Sequence, residues 1–282
     1  IPVLLLVGWR GEPGVKDEPQ HVKQGKITKK LFETLGISSD FLPDTIENIN
    51  VVLDKAFASM REKSAPYALI VREGTFEPYE PKNKIKSNYE LNREGALKLI
   101  VDQLGERDII VSTTGKTSRE LFECREKLKQ DHYQDFLTVG SMGHSSQIAL
   151  GVALSKPDRN IYCIDGDGAT IMHMGGLVVI GQQKPKNFKH IIINNGAHDS
   201  VGGQPTAGFF VDFLGIARAC GYKHAFRAES TDEVIENMNN LKSAEGPALL
   251  EIRVNKGARD NLGRPTTSPQ QNKRAFMEFL RE

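Results

Sequence analysis

A chain of 282 residues with a formal net charge of +1 has room for one large or two medium domains, and gives no electrostatic reason to bind nucleic acid or an anionic membrane surface. A small anionic substrate needs only a local cluster of cations, so the near-neutral balance leaves that class open. The three cysteines, Cys124, Cys163 and Cys220, are widely spaced and form no disulfide or metal-ligand pattern, which favours a reducing cytoplasm. The longest early apolar run, Ile1–Val7, falls far short of the ~20 residues of a membrane-spanning helix. It also lacks the basic region and cleavage site of a signal peptide.

In chain order, the run Ile1–Gly8 predicts a strand buried on both faces. It starts without Met, in what reads as the middle of a domain, so residues before Ile1 are expected. Trp9–Gly14 follows as a loop rich in turn formers. Ile49, Val51, Val52, Leu53, Ala56, Phe57 and Met60 fit an amphipathic helix over Ile46–Arg61, and Tyr67–Arg72 is the next strand. Residues 76–92 contain Pro78, Pro81 and many charges without an apolar period. They are expected to be a surface linker between domains 1–75 and 93–282. Beyond it, helices are predicted over Arg93–Leu104, through Leu121 and Phe122, over Ser145–Leu154, near 211–219 and over Ala275–Leu280. Strands are predicted over Asp108–Val111, Asn160–Asp165, Phe188–Ile193 and Pro247–Val254, and Gln134–Val139 leads into Gly140–His144. No internal repeat is visible. Strands and helices alternating at these lengths imply an α/β fold with parallel sheets.

The most informative feature is Gly166-Asp167-Gly168 after one middle strand and Asn194-Asn195 after the next, with residues 169–193 between. That interval holds one crossover helix. A right-handed strand–helix–strand unit brings both C-terminal strand ends to one sheet edge, where open α/β sheets bind ligands. A carboxylate and a carboxamide therefore arrive side by side. Both are hard oxygen donors that suit Mg²⁺ shared with a bound diphosphate and water. Gly168, Ala169 and Thr170 open the helix that follows, and N–H groups at a helix N-terminus make an anion site. Ser112-Thr113-Thr114-Gly115 lies in the same position after another strand, where it fits an anion site and an ordinary helix cap equally well. Gly202–Thr206 is expected to be a mobile loop over the site.

This signature, together with Trp9–Gly14, Asp17–His21, Ser112–Glu120, Gly140–His144 and Asn194–Thr206, resembles the thiamine-diphosphate-dependent decarboxylases over the whole chain. The resemblance implies two doubly wound parallel-sheet domains. Residues 1–75 would be the C-terminal part of a pyrimidine-binding domain, N-terminally incomplete, and 93–282 the diphosphate-binding domain. A short linker in place of a third domain fits the compact subgroup that acts on phosphonopyruvate or sulfopyruvate. The implied reaction converts phosphonopyruvate to phosphonoacetaldehyde and carbon dioxide through an enamine on the cofactor. The implied cofactors are thiamine diphosphate and Mg²⁺.

By the same resemblance, Asp167 and Asn195 supply side-chain oxygens and Ala197 its carbonyl to the metal, while Asn194 orients the loop. Gly166, Gly168, Ala169, Ser112, Thr113, Thr114 and Gly115 would contact the diphosphate. The Gly140 carbonyl would accept from the aminopyrimidine, with Ser141 alongside, and Met142 would be the apolar wedge that holds the cofactor bent. For the substrate's charge, His144 and His198 rank first, ahead of Arg10, His21, Lys116 and Arg119; His173 is a loop residue near the diphosphate. The Glu that activates the cofactor matches no segment. Glu12 and Glu18 sit in the wrong context, so it is expected before Ile1. Sites of this kind are usually shared between subunits, which implies a homo-oligomer. The competing readings are a sulfopyruvate decarboxylase, a carboligating relative of acetolactate synthase and a Mg²⁺–nucleotide module. Against the last, Gly115-Lys116-Thr117 lacks the preceding Gly of a phosphate loop.

Overall fold

The structure is a computed structural model that describes residues 1–79 and 87–282. The chain forms two compact units, Ile1–Lys82 and Asn83–Glu282. Among the described residues no helix is long and apolar enough to cross a membrane.

The first unit runs β1 (Leu4–Gly8), α1 (His21–Thr34), β2 (Ser38–Phe41), α2 (Ile46–Lys63) and β3 (Tyr67–Val71). Its three strands are parallel in the order β1-β3-β2. The central strand is the buried one, with Tyr67–Ile70 enclosed on both faces. β1 was expected to be enclosed likewise. Among the described residues it pairs on one side only, and Leu6 is 61% exposed. α2 forms where the spacing places it and packs Ala56 and Met60 with Leu42, Tyr67 and Leu69. Sequence reasoning missed α1 because the helix buries almost no apolar surface, only Gly25 being fully enclosed. Polar contacts position it instead. Trp9 Nε1 donates to the Gly25 carbonyl at 2.8 Å, and the Asp17 carboxylate accepts from Arg10 and from the Gly11 and Glu18 amides. Asp17 also meets His21 Nδ1 at 3.0 Å. The segments Trp9–Gly14 and Asp17–His21 are thus one structure. Arg10 and His21, both considered for substrate charge, are committed to Asp17.

The second unit carries α3 (Arg93–Val101), β4 (Ile109–Ser112), α4 (Lys116–Leu128), β5 (Asp135–Leu137), α5 (Ser145–Ser155) and β6 (Ile161–Gly166). It continues through α6 (Asp167–Met172), α7 (Gly176–Gln183), β7 (Phe188–Asn194), the short hairpin β8 (Ala197–His198) and β9 (Gln204–Pro205), α8 (Phe213–Ala219), β10 (His224–Ala228), α9 (Thr231–Ser243), β11 (Ala248–Arg253) and α10 (Pro269–Phe279). Six parallel strands lie in the order β10-β11-β7-β6-β4-β5. Alternate strand residues feed two cores. Ile110, Ile164, Ile191, Ile193 and Leu250 pack with α3, α4 and α9, while Val111, Cys163, Ile192 and Leu249 pack with α5, α7 and α8. The sheet is doubly wound, which accounts for the near-continuous apolar strands. Because every strand is parallel, the turns after β4, β6, β7 and β11 all open at one edge.

The interval 169–193 holds two helices rather than one, because α6 ends at Met172 and α7 starts only at Gly176. Residues 80–86 of the expected linker lie outside the described residues. Residues 87–92 are hydrogen-bonded within the second unit. The Asn255 side chain receives the Tyr89 amide at 3.0 Å and donates to the Tyr89 carbonyl, and Asn92 caps α3.

Arg10 above all, with His21 and the two amides, holds the Asp17 carboxyl well below the usual carboxylate range against the opposing cost of burial. A depressed carboxyl stabilises above its ordinary value of 3.8, and the gain is lost as pH falls toward the folded value. Trp9 is the single Trp of the chain and reports on this unit. Asp17→Asn is expected to weaken the Trp9-monitored denaturant transition by about 1–3 kcal/mol at pH 7, with the difference from wild type shrinking below pH ~4. Identical midpoints at pH 7 would refute this account of α1.

Candidate active site

Asp167 and Asn195 sit at the tips of neighbouring strands. β6 and β7 pair in register, with Gly166 opposite Ile193, so the residues that follow each strand meet at the same edge. Asp167 is 2% exposed and Asn195 4%. Burial, the largest influence, raises the Asp167 carboxyl above its usual value; the donating Thr206 hydroxyl and the nearby amides of Asn195, Asp167 and Gly168 oppose the rise. The enclosure is polar and close. A Cβ on Gly208 would lie 2.3 Å from Asp167 Oδ2 and 2.5 Å from Asn194 Oδ1, so only glycine lets the backbone approach this carboxylate.

The two asparagines divide the work. Asn194 is fully buried and donates to Glu251 Oε1 at 2.8 Å and to the Gly208 carbonyl at 2.9 Å, and its own oxygen accepts the Gly196 amide. Asn195 donates through Nδ2 to Asp199 Oδ2 at 2.8 Å, and its oxygen accepts the Ala197 amide at 3.0 Å. Asn194 therefore builds the loop, and Asn195 presents its oxygen beside the Ala197 backbone. A carboxylate, a carboxamide oxygen and a main-chain carbonyl form a hard-oxygen donor set, the type that fits Mg²⁺.

Gly140–Gly143 has an unusual backbone. Gly140, Ser141 and Gly143 have φ of 69°, 39° and 80°. Glycine meets this freely at Gly143, where a Cβ would also strike the His173 ring at 2.5 Å, but Ser141 carries strain of the kind found at functional sites. Met142 and His198 converge on Gly168. A Cβ at that position would lie 3.4 Å from Met142 Cε and 2.7 Å from His198 Cε1. The His144 ring packs on His173 at 4.3 Å, within a cavity of about 600 Å³ that Gln147 and Met174 also line. Three expected site residues, Met142, Gly168 and His198, thus meet at one point, and His144 lies one ring away on the Gly143 side.

The turn Ser112–Gly115 presents less than expected. Ser112 is fully buried and its hydroxyl pairs with that of Ser118 at 2.7 Å, and Thr113 is also enclosed. Thr114 and Gly115 remain partly accessible, at the N-terminus of α4. Lys116 and Arg119 lie within α4 rather than in the loop, and Arg119 donates to the carbonyls of Leu262 and Gly263. Gly166 caps α6, and Ala169 is buried in its first turn. The segment Gly202–Thr206 is a hairpin rather than a free loop, with Ala197 opposite Pro205 and His198 opposite Gln204. Thr206 is the functional candidate that sequence reasoning missed, because only the fold brings its hydroxyl onto Asp167 Oδ2. Cys163, Asp165 and His190 also converge, but deep in the core. There Asp165 accepts from Ser145 at 2.5 Å and pairs with His190 at 3.2 Å, and burial pushes the Cys163 thiol well up. These groups satisfy one another and form a hydrogen-bonded core layer.

Residues 113–252 match the family described as thiamine pyrophosphate enzyme, C-terminal TPP binding domain. The chain is 33% identical to a phosphonopyruvate decarboxylase of Streptomyces viridochromogenes, in an alignment covering 99% of this chain and 73% of that protein. It is 38% identical to a sulfopyruvate decarboxylase subunit beta of Methanocaldococcus jannaschii over 53% of this chain and 76% of that one. Among solved structures, a putative thiamin diphosphate-dependent enzyme from Mycobacterium smegmatis shares the fold. Its TM-score is 0.50 at 20% identity, over 66% of this chain and 37% of that one.

The packing around Asp167 has a direct test. Gly208→Ala forces a methyl into the carboxylate's space and is expected to cost about 1–3 kcal/mol in denaturant unfolding. An unchanged midpoint would show that the turn does not lie against Asp167.

Proposed function

Because this chain belongs to the thiamine-diphosphate-dependent decarboxylases, as a 2-oxo acid decarboxylase using thiamine diphosphate, we propose that its substrate is phosphonopyruvate and its products are phosphonoacetaldehyde and carbon dioxide. The observation that carries the choice is the match to a phosphonopyruvate decarboxylase across 99% of the chain. Sulfopyruvate is the second reading, favoured by the 38% identity to a sulfopyruvate decarboxylase subunit over about half of it. The two acids differ in the anionic head, so cations near the site decide between them.

In this proposal Asp167, Asn195 and the Ala197 carbonyl would hold Mg²⁺, and the Gly166, Gly168 and Ala169 segment at the start of α6 would face the diphosphate, with Thr114 and Gly115 across from it. When bound, thiamine diphosphate supplies the nucleophilic carbon and the electron sink that decarboxylation requires. The protein's share is orientation and charge. Met142, set on the strained Gly140–Gly143 backbone, would pack against the cofactor, and the Gly140 carbonyl would accept from its aminopyrimidine. Thr206 and the hairpin over Asp167 keep water from the metal side. His198, beside Met142, is placed to orient the substrate's carboxylate or phosphonate, and His144 stands as a second candidate. The name subunit beta of the Methanocaldococcus relative supports an oligomeric assembly for this chain as well.

Carbon dioxide release measured with phosphonopyruvate and with sulfopyruvate, each with and without thiamine diphosphate and Mg²⁺, tests the proposal. Turnover is expected to require both additions and to prefer phosphonopyruvate. Asp167→Asn is expected to lower kcat/KM at least 100-fold, as loss of a metal-held charge would. A clear preference for sulfopyruvate would transfer the assignment to the second acid, and a full rate without cofactor would remove the mechanism.

A further inference from the structure

Asp199 is the meeting point of three chain segments. Its Oδ2 accepts from Asn195 Nδ2 at 2.8 Å, from Arg93 Nη1 at 3.1 Å and from the Gly257 amide at 2.9 Å. Arg93, the first residue of α3, is itself immobilised. Its Nε and Nη2 bind Glu120 of α4 at 2.6 and 2.8 Å, and both side chains are buried, with Arg93 5% exposed and Glu120 1%. Burial alone would lower the guanidinium, but the hydrogen bonds and charges of Glu120 and Asp199 outweigh it and raise Arg93 above its ordinary value. A planar guanidinium bridging two carboxylates has little freedom to turn.

The consequence falls on Asn195. The two ends of a carboxamide are nearly alike in shape, and only its partners decide which end points where. Asp199 Oδ2 is an acceptor surrounded by donors, so it selects the NH₂ end of Asn195. The oxygen is left on the opposite side, where it meets the Ala197 amide at 3.0 Å. The carboxamide is thus engaged at both ends, and the oxygen has a single orientation.

We infer that Asp199, held by Arg93 and Glu120, is a positioning residue that aims the Asn195 oxygen at the cofactor's metal ion. The inference rests on the proposal that Asn195 is a metal ligand. None of these residues stood out in the sequence, because α3, α4 and the hairpin after β7 are joined only in the fold.

The test is Mn²⁺ affinity, read as free Mn²⁺ by electron paramagnetic resonance with thiamine diphosphate in excess, on the whole chain. Asp199→Asn is expected to weaken Mn²⁺ binding about 10- to 100-fold, the range typical when a group behind a metal ligand is removed. Asn195→Ala is expected to weaken it at least as much. The double variant is expected to be no worse than Asn195→Ala, because Asp199 acts through Asn195. Arg93→Lys, which keeps the charge but loses the fork, is expected to give a smaller loss and serves as the test if Asp199→Asn does not fold. Unchanged Mn²⁺ affinity in Asp199→Asn, or in Arg93→Lys where that variant stands in, overturns the inference if Asn195→Ala is impaired. So does a double variant in which the two losses multiply. Unchanged affinity in Asn195→Ala would instead remove the ligand assignment of Asn195 and the inference with it.

Discussion

The parallel pairing of β6 with β7 is the constraint on which the site depends. Ile191 and Ile193 enter one core and Ile192 the other. A shift of one residue would turn each of these side chains to the wrong face, so the apolar run fixes the register. That register also separates two adjacent asparagines. Asn194 points inward to Glu251 and the Gly208 carbonyl, while Asn195 meets Asp199 and the Ala197 amide. Exchanging them would place a loop-building amide where the proposed ligand oxygen lies. Hydrophobic burial several residues away therefore decides which oxygen reaches the edge.

A buried carboxylate is expensive unless it is hydrogen-bonded and compensated. The edge at Asp167 meets that cost with backbone. The Thr206 hydroxyl donates to the carboxyl and three amides lie near it, yet burial still keeps it above its usual value. Donors of this kind offset the cost only partly, and a cation would offset it further. Asp199 is arranged differently, with the positive charge of Arg93 in contact, and serves as a fixed acceptor. The two carboxylates flank Asn195 with unlike environments, one left with capacity for a cation and one already paired.

Much of the second unit was legible because its strands are apolar on both faces. Phe188–Asn194 is wholly buried, and a run of that kind has few alternatives. The helix Ile46–Lys63 was legible from its period. What escaped notice did so for differing reasons. β10, His-Ala-Phe-Arg-Ala at 224–228, is a short edge strand with charged residues and no clean alternation. The helix over Thr231–Ser243 did carry a signal, with Val234, Met238 and Leu241 at helical spacing behind the Ser230 cap, and it went unread. The last helix starts six residues before the expected Ala275, at Pro269, where Ser268 and Gln271 form a capping box. Asp167 and Asn195 stood out by their places after two successive strands, and Met142 by the resemblance of its segment. Thr206, Asp199 and Arg93 were not, since their roles arise from contacts between elements far apart in sequence.

The same reasoning explains how a strained segment is held in place. Left to itself, a chain with Ser141 at φ 39° would relax, and its neighbours must prevent this. The restraint comes from the residue just beyond it. Ser145, the first residue of α5, donates to Asp165 at 2.5 Å, and Asp165 is braced through His190 by Tyr222 at 3.2 Å for each contact. This chain crosses from α5 to β6 and on to β7 within the core, where fully satisfied polar groups rigidify their surroundings. Met142 is therefore tied through Ser145 to the strand that carries Asp167, so the Met142 segment and the Asp167 edge share one support.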